Sequence, residues 1–139
     1  MMTQNSILIA GGYGLVGQQL ATFIRQRHPN LPLTIAGRNP EKANTLAQEL
    51  GNATSFQLDT EQPTPLQSQQ PRAVVAVVND PHDYLLMDAV QQGIPYLDVT
   101  RWTERLRASV TSLTDTPLTA PAIFSSGWMG GIASILAVR

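Results

Sequence analysis

A doubly wound α/β fold, with a parallel sheet of about six strands between two helical layers, is the fold class this sequence predicts. Three observations predict it. Short apolar runs alternate with helical periods from end to end. The most hydrophobic run, Ala73 to Val78, is rich in valine and lacks polar alternation, as a central parallel strand covered on both faces must. The first apolar run passes directly into a glycine-rich stretch that opens a helix. A length of 139 residues suits one domain with a real core, so residues 1–139 are read as a single unit.

The elements follow in order. Ser6 to Ala10 is a buried-strand run. Val16, Leu20, Phe23, Ile24 and Arg27 recur at helical spacing and predict the inner face of a first helix. Leu33 to Ala36 is a second strand. Asn39 then supplies an N-cap, Pro40 suits the first helical position, and Ala43, Leu46, Ala47 and Leu50 form one face before Gly51 stops the helix. Thr54 to Leu58 is a third strand. The proline- and glutamine-rich stretch "DTEQPTPLQSQQPR" cannot hold a long crossover helix and reads as a loop or a single turn. The fourth strand, Ala73 to Val78, leads to a helix over 82–92 that stops at Gly93. Tyr96 to Val99 is a fifth strand. Trp102, Leu106, Val110 and Leu113 mark the inner face of a further helix, which places Trp102 in the core rather than on a substrate platform. Ala122 to Ser125 is a sixth strand, and Gly130 to Arg139 begins a last helix. Its apolar Ile132, Ile135, Leu136 and Val138 have no capping signal after them, so the chain reads as a fragment of a longer one or as a short natural protein.

Composition narrows the functions. A net charge of −1 offers no broad basic field and argues against nucleic-acid binding. Without cysteine there are no disulfides, thiolate zinc sites or cysteine nucleophiles, which fits a reducing cytoplasm. The polar start "MMTQNS" is no signal peptide, and no apolar run approaches the roughly 20 residues of a membrane helix.

Gly12, Gly14 and Gly17 match G-x-G-x-x-G between a strand and a helix, the dinucleotide-binding fingerprint of the Rossmann fold. Gly12 is expected to permit the tight turn, Gly14 to let backbone approach a pyrophosphate, and Gly17 to pack the helix against the sheet. The first-turn amides and the positive end of the helix dipole would face the phosphates. Tyr13 sits within the same loop and counts among the cofactor-binding positions.

The second strand ends in "AGRNPEK". NAD-specific sites usually carry an acid here for the ribose 2′-OH. In this chain Gly37 leaves space and Arg38 brings a guanidinium able to hold a 2′-phosphate bidentately, so NADP is expected and NAD is the lesser candidate. Asn39 either adds a hydrogen bond or serves only as N-cap. Lys42 reads as a surface lysine. Asp59 ends the third strand and is read equally as an adenine neighbour and as a turn residue. Asn79 ends the fourth, near the cofactor's central or nicotinamide ribose. Asp98 and Thr100 lie further along that edge. His82 reads as a solvent-exposed helix-start residue before it reads as an acid or base, and Asp80 and Asp83 favour the positive helix start. No pattern assigns a catalytic residue or a metal site.

In combination, "ILIAGGYGLVGQQLA", "AGRNPEKANTLA", "AVVAVVNDP", "GIPYLDVT" and "GWMGGIASILA" resemble the N-terminal cofactor domain of the saccharopine-dehydrogenase-like family. The resemblance implies an NAD(P)-binding domain of an oxidoreductase that moves hydride to or from a small carbonyl, imine or amino-acid-like substrate. It implies that Arg38 is the arginine of NADP-using members, with Gly12, Gly14, Leu15, Val16 and Asn79 as cofactor contacts. It also implies a second α/β domain that carries most substrate contacts. Two turns depart from the family pattern: Thr100–Glu104 stands where a Thr-Gly-Glu-like turn is frequent, and "GWMGG" lacks a proline. A non-catalytic NADP sensor and a structural module that assembles as a homo-oligomer are the alternative readings.

Overall fold

Ile7–Ala10 (β1) pairs in parallel with Leu33–Gly37 (β2) on one side and with Ala73–Ala76 (β4) on the other. Ala53–Gln57 (β3), Tyr96–Asp98 (β5) and Ala122–Phe124 (β6) complete a six-stranded, all-parallel sheet in the order β3-β2-β1-β4-β5-β6. This is the Rossmann doubly wound order, with its reversal between β1 and β4. The structure, a computed structural model, describes residues 5–125. The expected last helix and the "GWMGG" turn lie outside the described residues.

The strand period sorts the core into two layers. Leu8, Ala10, Ala36, Val74 and Ala76 point one way, against Leu66 of the β3–β4 crossover, the helix Tyr84–Gln91 (α3) and Leu113 of the helix Thr103–Leu113 (α4). Ile9, Leu33 and Ile35 point the other way, against Ala21 of the helix Leu15–Arg27 (α1) and Ala43, Leu46 and Ala47 of the helix Pro40–Leu50 (α2). The crossover is irregular, as its prolines require, and is anchored by the fully buried Pro65 and Leu66. The Leu66 amide donates to Asp88 Oδ2 at 2.8 Å. α2 matches its sequence signals: Asn39 Oδ1 accepts from the Lys42 amide at 3.0 Å, and Gly51 ends the helix at φ 63°.

Two helix faces differ from expectation. In α1 the buried residues are Gly17 and Ala21, with Leu20 and Ile24 partly buried, whereas Val16 and Phe23 are exposed. The small residues face the sheet because α1 approaches the glycine turn too closely for larger ones. Arg27 stacks on the exposed Phe23 ring, 4.5 Å from its centroid. In α4 the inward row is Arg105, Ser109 and Leu113, at i, i+4 and i+8. Val110 and Trp102 point outward, Trp102 at 55% exposure, so Trp102 is not a core residue. Buried carboxylates at the end of β4 and β5 draw the polar side of α4 inward.

Candidate nucleotide site

The carboxyl ends of β1, β2 and β4 enclose a cleft of about 410 Å³. That volume lies within the roughly 300–1,000 Å³ of small-molecule sites. Gly11, Tyr13 and Gly14 form its floor, Arg38 one rim, Asp59, Thr60 and Glu61 the far wall, and Val78, Asn79 and Pro81 the other rim. Of the expected site residues, Tyr13, Gly14, Arg38, Asp59 and Asn79 therefore share one space. Gly12 and Gly17 are buried behind the turn, and Leu15 and Val16 stand exposed at the start of α1. Asn39 caps α2 beside the Arg38 rim.

The glycines divide their work differently from the sequence expectation. The residue with a left-handed backbone is Gly11, at φ 80°, so Gly11 rather than Gly12 makes the turn off β1. A side chain on Gly12 would meet Ile35 Cγ2 and the Ile9 carbonyl oxygen, each at 2.9 Å. Gly17 does permit close packing, because a Cβ there would lie 2.2 Å from the Gly11 carbonyl oxygen. Gly14 opens toward the cleft; a Cβ on it would approach only the Gly11 oxygen, at 3.2 Å. Beyond it, the N–H groups of Leu15, Val16 and Gly17 donate to no other described residue. They form the anion-receptive first turn that such a motif supplies.

At the end of β2 the space left by Gly37 is filled by the Tyr13 ring. A Cβ on Gly37 would lie 2.4 Å from Tyr13 Cε1. The Tyr13 hydroxyl accepts from the Asn39 amide at 2.8 Å. Arg38 is exposed, and its guanidinium has no hydrogen bond or ion pair among the described residues; only its carbonyl is engaged, by Gln57 Nε2 at 3.3 Å. Asp59 is a turn residue, its carboxylate accepting from the Glu61 amide at 3.0 Å, and it also lines the cleft.

The opposite rim is held from behind. Three consecutive carbonyls accept from three different segments: Val78 from the Thr100 hydroxyl at 3.4 Å, Asn79 from the Thr60 hydroxyl at 2.9 Å and Asp80 from Arg105 at 3.0 Å. The Asn79 side chain is left exposed at the cleft. His82 is exposed and pairs with Glu61 at 3.1 Å across the rim, as its solvent-exposed reading expects.

Behind this rim lies a buried ionic cluster that the sequence did not reveal. Arg101, 8% exposed, donates to Asp98 at 2.9 Å, to Ser109 at 2.7 Å, to Asp80 at 3.4 Å and to Asp83. Arg105 also reaches Asp83, at 2.8 Å. Tyr96 donates to Asp98 at 2.7 Å, and Thr100 ties its amide and hydroxyl to the same carboxylate. Asp83 holds a left-handed backbone, φ 59°, which its carboxylate contacts over-determine. Asp80 accepts from the Leu85 and Leu86 amides at 3.3 and 3.1 Å, so it serves the start of α3 as expected. Burial raises the Asp80 carboxyl above its ordinary range, against the pull of those amides and of Arg101. Burial and the Asp98 charge likewise raise the Tyr96 phenol and keep it a donor. Burial also opposes the Arg101 charge, but its bonds to Tyr96, Asp98 and Asp83 outweigh that and raise its affinity for its proton.

Similarity agrees with this architecture. A yeast saccharopine dehydrogenase (L-Glu forming, Saccharomyces cerevisiae) superposes with a TM-score of 0.74 at 18% identity, over 96% of this chain and 30% of its own. The protein Pen from Bacillus thuringiensis gives 0.69 at 13% identity, over 91% and 50%. An NADPH-dependent quinone oxidoreductase from Escherichia coli gives 0.64 at 19%, over 94% and 51%. At these identities the likeness is one of fold, and the chain spans from under a third to about half the length of these proteins. Among curated proteins, no sequence matches the chain significantly. The family model described as the saccharopine dehydrogenase NADP-binding domain matches residues 7–125, from the start of β1 to just past β6. With its glycine turn, free first-turn amides and sheet order, the chain belongs to that family of Rossmann NAD(P)-binding domains.

Proposed function

We propose that this chain is the NADP(H)-binding domain of an oxidoreductase acting on a small carbonyl, imine or amino-acid-like substrate. The observation that carries the reading is the unpaired Arg38 guanidinium on the rim of a cleft also lined by Gly11 and Gly14 of the glycine turn, which leads into the open amides of Leu15 to Gly17. One arrangement suits a diphosphate and the other a 2′-phosphate. A bound nicotinamide dinucleotide supplies the hydride. The chain's own residues bind and orient it: Gly14 yields the backbone approach, Arg38 selects the phosphorylated ribose, and Asn79 offers a free amide to the sugar edge. Substrate contacts are assigned to a second domain of the full protein. A cytoplasmic location accompanies the reading.

The test is ligand-linked stability of the 139-residue chain. At 100 times Kd a specific ligand adds about 2.7 kcal/mol, a clear thermal shift. NADP(H) is expected to shift the midpoint more than NAD(H), and Arg38→Asp to reverse that order. A hydrogen bond to a charged group is worth about 1.5–3 kcal/mol, so losing Arg38 lowers NADP affinity roughly 10- to 150-fold. Equal shifts with both nucleotides would overturn the specificity, and none with either would overturn the reading.

A further inference from the structure

One side chain reaches from the glycine turn to the Arg38 corner of the cleft. Tyr13 leaves the glycine turn, lays its ring over Gly37 and accepts the Asn39 amide proton on its hydroxyl. Arg38 lies between those two contacts. Its long side chain has no partner among the described residues, so its direction is set by the backbone corner from which it springs. Other bonds hold that corner too: Gln57 to the Arg38 carbonyl, the Leu58 amide to the Gly37 carbonyl, the Ala43 amide to the Asn39 carbonyl, and the Lys42 amide to Asn39 Oδ1. These come from β3, the residue after it, or α2. The Gly11 and Gly12 amides tie the turn to the Ala36 carbonyl, at 2.8 and 3.2 Å, and Tyr13 is the side chain that carries the link on to the corner itself. Gly37 and Tyr13 are a matched pair, since any side chain at position 37 would strike the ring.

We propose that Tyr13 is a positioning residue that sets the preference for a 2′-phosphorylated dinucleotide, by fixing the Arg38 corner relative to the diphosphate-binding turn. This rests on the NADP reading above. A dinucleotide has a fixed span between diphosphate and 2′-phosphate, and two anchors recognise both only if their separation is held. Preorganising the pair removes an ordering cost that would otherwise fall on the phosphorylated ligand alone. The Tyr13 hydroxyl also occupies the Asn39 amide, so the guanidinium, and not that amide, is left to meet the extra phosphate.

The experiment is calorimetric titration of the full chain with NADP+ and with NAD+, for wild type, Tyr13→Phe, Arg38→Ala and the double variant. Phenylalanine keeps the ring over Gly37 and removes only the acceptor. Tyr13→Phe is expected to lower the NADP+ to NAD+ affinity ratio roughly 2- to 12-fold, the equilibrium equivalent of one ordinary hydrogen bond. NAD+ affinity should hardly change, and in the Arg38→Ala background the substitution should have no further effect. Gly37→Ala, which drives the ring off the corner, should lower the ratio at least as far. Equal weakening of both nucleotides, or an unchanged ratio while wild type prefers NADP+, would overturn the role of Tyr13 and leave the NADP reading standing. A wild type that fails to prefer NADP+ would overturn both.

Discussion

Gly17→Ala gives the sharpest test of how α1 meets the glycine turn, because two physical effects predict opposite signs. In an unhindered helix interior, alanine is more stable than glycine by about 1 kcal/mol. At position 17 the added Cβ would lie 2.2 Å from the Gly11 oxygen, 2.7 Å from Gly12 Cα and 2.8 Å from the Gly12 carbonyl carbon. All three are backbone atoms, so no rotamer change relieves the contact. The turn cannot retreat either, because Gly12 is already backed by Ile35 and by the Ile9 carbonyl. The helix must move away, which loosens Ala21 from the sheet. The upper end of the overpacking range, about 3 kcal/mol, therefore applies. Subtracting the propensity gain of about 1 kcal/mol leaves a net loss of about 2 kcal/mol. For a domain of this size that lowers the melting temperature by roughly 6–10 °C. Urea unfolding followed by far-UV circular dichroism measures it. A midpoint unchanged or raised would show that propensity wins and that α1 does not pack on the turn as described.

Arg101→Leu removes the shared donor of three carboxylates and leaves buried charge without compensation, so it should cost about 3–5 kcal/mol in chemical denaturation. A loss under about 1 kcal/mol would mean that solvent reaches the cluster. The Asp80 carboxyl is raised by burial. Its folded state therefore binds the proton more tightly than the unfolded state, and its contribution to stability grows as pH falls from neutrality through the folded value towards 3.8. Asp80→Asn lacks that term, so the stability gap in favour of wild type should widen on acidification between those limits. A gap that stays flat with pH would contradict the raised carboxyl.

The fold was legible because its signals are local. Asn39, Pro40 and Gly51 delimit α2 by backbone chemistry that needs no tertiary partner, and valine-rich β4 announces its burial on both faces. The prolines between β3 and β4 correctly ruled out a long crossover helix. Periodicity failed in α1 and α4. It assumes that apolar residues face the core. In α1 the core-facing row begins with a glycine because the helix approaches a backbone turn, which leaves Val16 and Phe23 outside. In α4 it begins with Arg105 and Ser109 because carboxylates from other segments wait there. Gly11 lies within the same glycine-rich stretch, yet the motif draws attention to the glycine after it. Only the backbone angle shows which one turns the chain.

Arg38 and Arg101 make the limit concrete. Each follows closely on the end of a strand at the same edge of the sheet; position after the second strand points to Arg38, but nothing in the sequence announces that Arg101 is buried. Their surroundings separate them. Arg101 has its charge met by Asp80, Asp83 and Asp98, so an added anion would have to displace buried bonds to reach it. Arg38 stands in solvent on the cleft with its guanidinium unmet, so an anion there replaces only water. Desolvation makes the first arrangement costly to disturb and the second cheap to engage. The same argument predicts where this chain tolerates change: substitution at Arg38 should alter which nucleotide binds while sparing the fold, and substitution at Arg101 should unfold the rim that presents Asn79 before any selectivity could be read.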